Sequence, residues 1–218
     1  MGSFNRLHKS LELNTGIHDA CRIEIEVRLR AFVAIKLPRE FAGEVADTAR
    51  QLRAVMPGRY LPRENYHVTL VFLGDISVSQ IDDIVGCMES AGAFAFRDIE
   101  EFSNAGDPIL LMPDGIGKFG RANNATLWLG LQKTPTMMNL AACLRENLSE
   151  AGIDFDGKSF LPHITIARRV QIPNAELPPI IFPEPAGAAS IVLYKSTLSK
   201  EGASYEPLHE TRISSMKD

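Results

Sequence analysis

Residues 65–72 read NYHVTLVF, and residues 161–168 read LPHITIAR. Both stretches contain the tripeptide His-x-Thr within a run of apolar and β-branched residues, and such runs favour β-strands. Only five histidines occur in the whole chain, so two copies of this spacing in two similar settings are improbable by chance. The two stretches therefore predict a pair of matching strands, one in each half of the chain.

The His-x-Thr spacing places an imidazole and a hydroxyl side by side on each strand. Residues two apart on a strand point to the same face, so His67 and Thr69 project together. His163 and Thr165 do the same in the second stretch. The residues between and after them are apolar and would pack against a core. If both strands face one cleft, the chain presents two imidazoles and two hydroxyls to a single pocket.

Two imidazoles and two hydroxyls form a set that suits phosphoryl transfer. A neutral imidazole can take a proton from the attacking nucleophile, while an imidazolium gives a proton to the leaving oxygen. Threonine hydroxyls can donate hydrogen bonds to the non-bridging phosphate oxygens. Histidine serves both roles because its reference pKa, about 6.5, leaves both forms accessible near neutrality. The near-symmetric sequence does not decide which histidine is the acid and which is the base.

Other interpretations of the two motifs stay open at this point. A single histidine on a strand is more often a satisfied structural residue, but two copies in matching settings favour a shared site. A stable zinc site needs three or four protein ligands, and the sequence has neither an HExxH motif nor a Cys–His cluster. We therefore expect neither a metal nor any other cofactor. A module that binds RNA ends without chemistry is a further alternative, which two proton-transfer groups disfavour.

The segments around the motifs predict a mixed α+β fold in two similar lobes. Polar–apolar alternation over residues 23–35 predicts a strand whose last part, residues 31–35, is buried. A helix is expected to begin at Pro38 and to end near Pro57-Gly58. Trp128 is interpreted as a core residue. The other predicted elements are helices from Ser77 and from Thr134 to Gly152, strands at residues 67–73 (ending at Gly74), 99–102, 109–112, 127–131 and 191–198 and near Tyr205, and a loop over residues 171–187.

Composition limits the classes of partner. The 218 residues, 45% of them hydrophobic, suffice to bury a core. The formal net charge is -4 and the isoelectric point is about 5.8, whereas a protein that holds long nucleic acids by charge is usually basic. A nucleic-acid substrate is therefore expected to be short, or bound only at one end.

The termini and the cysteines predict a cytoplasmic protein. Cys21, Cys87 and Cys143 are far apart in the sequence and odd in number, which favours idle thiols in a reducing compartment. No apolar run approaches the roughly 20 residues that cross a bilayer, and residues 1–20 do not resemble a signal peptide. We interpret residues 1–29 as an extension and residues 30–218 as the functional domain, acting as a monomer without membrane or protein partners.

The chain resembles the two-histidine phosphoesterase superfamily, and within it the RNA 2′,3′-cyclic phosphodiesterases, also named 2′-5′ RNA ligases. The resemblance runs from about Arg30 to Leu208 and rests on the order and spacing of several short motifs. These are residues 31–35 with Leu37-Pro38, residues 67–74, residues 127–131, residues 160–168, and residues 193–196 with Gly202 and Tyr205.

The resemblance implies an α+β fold of two pseudo-symmetric lobes, each an antiparallel sheet with helices on its outer face, around a central cleft that holds no metal. It also implies opening of a 2′,3′-cyclic phosphate on RNA to a 2′-phosphate. His67 would then be the proton donor to the departing 3′-oxygen, and His163 the proton acceptor that activates water. Thr69 and Thr165 would hold the phosphate. The same groups, acting in the reverse direction, would join a cyclic phosphate end to a 5′-hydroxyl in a 2′-5′ linkage.

Further substrate contacts and other substrates are also considered. Arg168 is a candidate phosphate contact, although in a regular strand it would not share the face of His163. Arg63 and Tyr66, before the first motif, are candidate nucleotide contacts, and Tyr205 is expected either to stack on a base or to close the core. The same site would also suit 2′-5′ oligoadenylate or a small cyclic nucleotide.

Overall fold

The computed structural model describes residues 27–94, 109–174, 179–200 and 202–213. The strands are β1 (Arg28–Lys36), β2 (Arg59–Tyr60), β3 (His67–Ser77), β4 (Ile109–Leu111), β5 (Pro113–Phe119), β6 (Ala125–Leu131), β7 (His163–Val170), β8 (Ala186–Ala188), β9 (Ser190–Ser199) and β10 (Gly202–Arg212). The helices are α1 (Arg39–Arg53), α2 (Ile81–Phe94) and α3 (Pro135–Glu150), and short 3₁₀ turns lie at Arg63–Asn65 and Val78–Gln80.

The fold is α+β with two antiparallel lobes, as the sequence predicts. Eight strands form one sheet with the order β10-β9-β1-β3-β7-β6-β5 and with β2 added to β7. The first four strands of this order belong to one lobe, and the remaining strands belong to the other. The lobes meet where β3 lies antiparallel to β7, with Val68 registered opposite Ile164. The motif strands are therefore the adjacent inner strands of the two lobes. A separate pair, β4 and β8, lies outside this order.

The helices cover the sheets and tie the lobes together. Helix α1 follows β1 in sequence but contacts β7 in the other lobe, while α2 contacts β10 and α3 contacts β3. Each helix buries an apolar stripe, because its apolar residues recur every three to four positions. The buried residues include Phe41, Val45 and Leu52 in α1, Ile84 and Met88 in α2, and Met137, Leu140, Leu144 and Leu148 in α3.

The residues that the sequence predicts at the ends of the helices are found there in the structure. Pro38 immediately precedes α1. Ser77 and Gln80 form a capping box at the 3₁₀ turn that leads into α2. The Thr134 hydroxyl accepts a hydrogen bond from the Met137 N–H at the start of α3. Gly152, with φ of 67°, follows the end of α3 in the left-handed conformation that glycine adopts without strain.

Several strand boundaries differ from the predictions. Strand β3 does not stop at Gly74 but passes through it, at φ of 71°, to Ser77. The segment near Tyr205 is an eleven-residue strand, β10. The strand predicted at residues 99–102 lies outside the described residues, as do the first 26 residues of the predicted extension, and β1 begins at Arg28. Within the described segments, no helix combines the length and the apolar character needed to span a bilayer.

Candidate active site

The two His-x-Thr motifs lie side by side where the lobes meet. Val68 and Ile164, the central residues of the motifs, are register partners and are fully buried. When this register is continued by one residue in each direction, His67 pairs with Thr165 and Thr69 pairs with His163. All four of these side chains share the face opposite the buried pair and are partly exposed. The arrangement is a pseudo-twofold site with an imidazole and a hydroxyl from each strand.

Both imidazoles are held by the same local hydrogen bond. Nδ1 of His67 lies 2.8 Å from the Asn65 carbonyl oxygen, and Nδ1 of His163 lies 2.7 Å from the Leu161 carbonyl oxygen. A carbonyl oxygen only accepts, so each Nδ1 carries the proton and donates it. In each ring Nε2 is therefore left to exchange protons with a substrate. The hydrogen bond also fixes the ring orientation, because its acceptor is backbone two residues earlier in the chain.

Burial keeps both imidazoles neutral in the free protein. The pKa of His67 is lowered to about 4, mainly by burial and also by the charges of His163 and Arg168, against the opposing effect of the hydrogen bond to Asn65. Burial also lowers the pKa of His163, again against its backbone hydrogen bond and with Arg168 acting in the same direction. A bound anion would reverse this effect, because an opposite charge nearby favours the protonated ring.

A bulge in β7 brings Arg168 to the face of the histidines. Thr165 is registered opposite Trp128, but Ala167 is registered opposite Leu127, so β7 contains one extra residue. The burial pattern agrees with this extra residue, because the consecutive residues Ile166 and Ala167 are both buried and Arg168 is exposed. In a regular strand Arg168 would point away from His163. The bulge reverses the alternation, and Arg168 therefore acts electrostatically on both histidines.

Strand β3 contains the equivalent bulge, with a different side chain in the place of the arginine. Val33 is registered opposite Val71 and Ala34 opposite Thr69, so β3 also gains one residue after its motif. Phe72, five residues after His67, consequently takes the place that Arg168 takes five residues after His163, and it is 46% exposed. The histidines and threonines of the site are therefore arranged almost symmetrically. The cation is not, because Arg168 on β7 has no charged equivalent on β3.

Aromatic rings surround His67 in the first lobe. The Phe32 ring centroid lies 4.8 Å from that of His67, and the Tyr205 ring meets His67 edge-on at 5.1 Å. Tyr194 lies 6.2 Å from His67 and stacks on Phe32 at 5.3 Å. Asn65 holds this group together, because its carbonyl binds His67 and its Nδ2 donates to the Ala203 carbonyl of β10 at 2.9 Å. Tyr205 thus lies against a catalytic candidate.

Two aromatic rings flank His163 in the second lobe. Phe119 meets His163 edge-on at 5.2 Å, and Trp128 does so at 5.9 Å. The interpretation of Trp128 as a core residue is wrong, because its ring lies beside His163 and is only partly buried. Its place depends on a glycine, since a Cβ added at Gly117 would lie 2.1 Å from the indole ring. The indole Nε1 is shielded from solvent and has no hydrogen-bond partner among the described residues.

Comparison with known proteins places the chain in a family. Residues 37–188 match the model of the 2′-5′ RNA ligase superfamily. This chain belongs to that superfamily. The match covers both His-x-Thr motifs and the strands and helices between them, so it includes the two histidines and the two threonines of the site.

Relatives and solved structures agree with the superfamily. The RNA 2′,3′-cyclic phosphodiesterase of Thermotoga maritima is 28% identical over 195 residues, which cover 85% of this chain and 96% of the relative. The Escherichia coli protein of the same name is 26% identical and covers 82% of this chain and 93% of its own length. The crystal structure of apo E. coli LigT matches with a TM-score of 0.66 at 25% identity, over 86% of this chain and 98% of that chain.

Not every residue proposed from the sequence joins the site of this superfamily member. The structure brings together His67, His163, their threonines, Arg168 and Tyr205. Tyr66 is instead a core residue, 7% exposed, on the opposite face of the strand from His67. Arg63 donates a hydrogen bond to the Arg39 carbonyl at the start of α1. Neither of these two side chains is placed with the histidines.

Sequence reasoning also missed residues at the site. Phe32, Phe119 and Trp128 contact the two histidines, and their apolar side chains carry no sequence signal for a functional role. Trp128 shares a face of β6 with Gly130, which pairs with His163, but this relationship depends on the pairing of β6 with β7 and gives no signal in the sequence. Among the described residues, no three or more histidine, cysteine, aspartate or glutamate side chains are grouped as metal ligands would be.

Proposed function

We propose that this protein hydrolyses 2′,3′-cyclic phosphate ends of RNA to 2′-phosphates by acid–base catalysis with His67 and His163. The observation that carries the proposal is the pairing of two imidazoles and two hydroxyls on one face where β3 meets β7. The names of the superfamily relatives, RNA 2′,3′-cyclic phosphodiesterases, support the choice of substrate. E. coli LigT has been crystallised with phosphate and with 3′-AMP, which supports a nucleotide phosphate as ligand.

The two imidazoles act on opposite sides of phosphorus. His163 Nε2 takes a proton from water as the water oxygen bonds to phosphorus. The bond from phosphorus to the 3′-oxygen breaks, and His67 Nε2 donates a proton to that oxygen. The bond to the 2′-oxygen is kept, so the product is a 2′-phosphate. The assignment of acid and base follows the family resemblance, and each proton transfer is expected to contribute about 10²- to 10⁴-fold.

Substrate binding prepares the acid. Both imidazoles are neutral in the free protein near pH 7, because their pKa values are lowered. The cyclic phosphate carries a negative charge, and its binding between the rings would raise both pKa values. One imidazole then takes up a proton and becomes the general acid. The hydroxyls of Thr69 and Thr165 donate to the non-bridging oxygens, and Arg168 balances the charge that develops on them.

The first lobe is proposed to hold the nucleoside of the cyclic phosphate. The 3′-oxygen departs on the side of His67, where Phe32, Tyr194 and Tyr205 are grouped, while the ribose stays bound to phosphorus through its 2′-oxygen. Aromatic side chains stack on unpaired bases with little sequence preference. Tyr205 is therefore proposed as a base contact. The acidic net charge of -4 fits a substrate bound at one end and not along its length.

Product analysis tests this proposal. An RNA with a 2′,3′-cyclic phosphate is incubated with the protein in excess EDTA and followed by phosphorus NMR. We expect a 2′-phosphate and no dependence on divalent metal, because two histidines and two threonines supply the chemistry. Loss of all activity on chelation, or a product that is only 3′-phosphate, would contradict the mechanism. Binding without any product would instead favour a module that recognises RNA ends.

Variants of the two histidines complete the test. His67→Ala and His163→Ala should each lower kcat/KM by at least about 10²-fold. The fold should persist, because both side chains lie on the partly exposed face and their strands are anchored by Val68 and Ile164. Circular dichroism and the unfolding midpoint check the fold. A panel of 2′-5′ oligoadenylates and small cyclic nucleotides separates RNA ends from the alternative substrates.

We also propose a cytoplasmic location. Cys87 and Cys143 are free thiols in the structure, which suits a reducing compartment. Fractionation of cells that express the full chain would test this location.

A further inference from the structure

Strand β2 brings a second arginine to the face of the histidines. Arg59 on β2 is registered directly opposite Arg168 on β7, and residues paired across two strands project from the same face of the sheet. Arg168 lies on the histidine face because of the bulge in β7. Both arginine side chains are exposed. Two guanidinium groups are therefore neighbours beside the candidate active site.

The charges of these two arginines are not balanced by the protein itself. Neither Arg59 nor Arg168 forms an ion pair with any of the carboxylates that the structure describes. Like charges placed directly opposite each other on neighbouring strands are destabilising. An anion bound between them would remove this repulsion, and guanidinium groups match the geometry of phosphate closely. The pair therefore has the composition of a phosphate site.

The tip of the β9–β10 hairpin lies against Arg59. A Cβ added at Gly202 would be 2.5 Å from Nη2 of Arg59, so only a residue without a side chain leaves room for the guanidinium there. The next residue, Ala203, accepts the 2.9 Å hydrogen bond from Asn65 Nδ2. Tyr205, the proposed base contact, follows on the same strand. Arg59 of the second lobe therefore lies beside the hairpin with which the first lobe is proposed to hold the nucleoside.

Arg59 is placed beyond the phosphate that reacts. Arg168 lowers the pKa of both imidazoles, whereas Arg59 is not among the groups that shift the pKa of either one. Arg59 is therefore the more distant of the two arginines from the histidine rings. A nucleoside with its cyclic phosphate between the rings and its base on Tyr205 has one remaining position for a phosphate, which is its 5′-oxygen.

We propose that Arg59 binds the phosphate on the 5′-oxygen of the terminal nucleotide and so selects RNA ends over free cyclic nucleotides. In an RNA this phosphate is the phosphodiester that joins the terminal nucleotide to the preceding one, and a free 2′,3′-cyclic nucleoside phosphate lacks it. Arg59 is then a specificity residue and takes no part in proton transfer. The inference rests on the proposed function, because it uses the position of the nucleoside given there.

Two substrates that differ only in this phosphate test the inference. Adenosine 2′,3′-cyclic phosphate is compared with the same nucleotide bearing a 5′-methylphosphate, which has the single charge of a phosphodiester. The parent should have the higher kcat/KM for the 5′-methylphosphate substrate. In Arg59→Gln this preference should fall about tenfold to a hundredfold, the range for a lost hydrogen bond to a charged group. With the 5′-hydroxyl substrate, kcat/KM should change less than about twofold, because a charge that contacts no substrate atom is screened by salt.

Arg53→Gln is the matched control for lost charge. Arg53 is exposed in the last turn of α1, and it acts electrostatically on Tyr60, whose side chain lies on the other face of β2 from Arg59. This variant should keep the preference of the parent, and unfolding midpoints check the fold of both variants. An equal loss of preference in both variants would overturn the inference, as would a parent without the preference or an Arg59→Gln variant that keeps it.

A binding experiment separates this inference from the proposed function. Adenosine 2′-phosphate and adenosine 2′,5′-bisphosphate are titrated calorimetrically into the parent and into Arg59→Gln. The parent should bind the bisphosphate more tightly, and the variant should bind both nucleotides with similar affinity. Hydrolysis by the parent with equal binding of the two nucleotides would refute the role of Arg59 and leave the proposed function standing. Tighter binding of the bisphosphate that depends on Arg59, without any hydrolysis, would refute the function and leave the phosphate contact standing.

Discussion

Arg168 shares the face of His163 on β7 although the two residues are an odd number of positions apart. The single extra residue in β7, between the register pairs Thr165–Trp128 and Ala167–Leu127, produces this relationship. Bulges commonly redirect a side chain next to a functional site. Phe72 has the corresponding place in β3, so the bulge is part of both lobes, whereas the cation is present in only one.

Replacing Arg168 should change both binding and titration. In Arg168→Gln the guanidinium charge is lost, so we expect the pKa of His67 and of His163 to rise, because Arg168 lowers both. We also expect kcat/KM to fall about tenfold to a hundredfold, the range for a lost hydrogen bond to a charged group. NMR titration of the histidine rings and steady-state kinetics measure the two effects.

A second arginine provides the comparison for this prediction. Arg121 is exposed in the turn between β5 and β6, and Arg121→Gln removes the same charge away from the motif strands. It should leave the histidine titrations unmoved. If Arg168→Gln behaved like Arg121→Gln in both measurements, Arg168 would have no part in the site.

The pH dependence of catalysis should differ between the free protein and the complex. Catalysis needs one neutral and one protonated histidine, and the profile of kcat/KM reports the pKa values of the free protein. Since both values are lowered, with His67 at about 4, kcat/KM should be greatest below pH 6.5. The bound phosphate raises both values, so the profile of kcat should be displaced to higher pH. Coincident profiles centred at or above pH 7 would count against this account.

The same lowered pKa should make the fold less stable in acid. The unfolded chain protonates His67 as the pH falls through about 6.5, but the folded protein does so only near pH 4. The titration of His67 therefore does not affect the free energy of unfolding above pH 6.5, and it lowers this free energy progressively between pH 6.5 and 4. Between pH 6.5 and 5 the decrease amounts to about 2 kcal/mol. Urea unfolding of the parent and of His67→Asn should diverge over that interval and run parallel from pH 7 to 8.

Periodicity located the elements whose apolar pattern is regular. The stripe of α3, with its cap at Thr134 and its stop at Gly152, and the buried strand at residues 31–35 are examples. The apolar runs predict the motif strands for the same reason, and the repeat of His-x-Thr predicts that they face one cleft; their pairing as neighbours comes from the structure. Here sequence and structure agree because local preference and tertiary packing favour the same conformation.

The parts that sequence reasoning missed depend on backbone irregularity and on pairing. Strand β5 reads PDGIGKF and lies at the edge of the sheet, where proline and glycine are tolerated but weaken the period-two signal. The face of Arg168 depends on a bulge that no count along the chain reveals. The place of Trp128 beside His163 depends on which strands are neighbours, and on Gly117 in the neighbouring strand.

Gly117 should prove to be a requirement for the position of Trp128. A methyl group at this residue would lie 2.1 Å from the indole ring, so Gly117→Ala must displace the ring or the strand. We expect it to lower the free energy of unfolding by about 1–3 kcal/mol, the usual cost of overpacking. The tryptophan emission should shift as the ring moves, and kcat/KM should fall because His163 loses a neighbour.

The same substitution elsewhere should have the opposite effect. Gly86 lies within α2, and a Cβ there would have no neighbour within 4 Å. Alanine restricts the unfolded chain more than glycine does and favours the helix, so Gly86→Ala should stabilise the fold by about 0.4–1 kcal/mol without changing emission or activity. Urea unfolding of the two variants side by side measures the contrast. If Gly117→Ala were as harmless as Gly86→Ala, packing against Gly117 would not be what holds Trp128 beside His163.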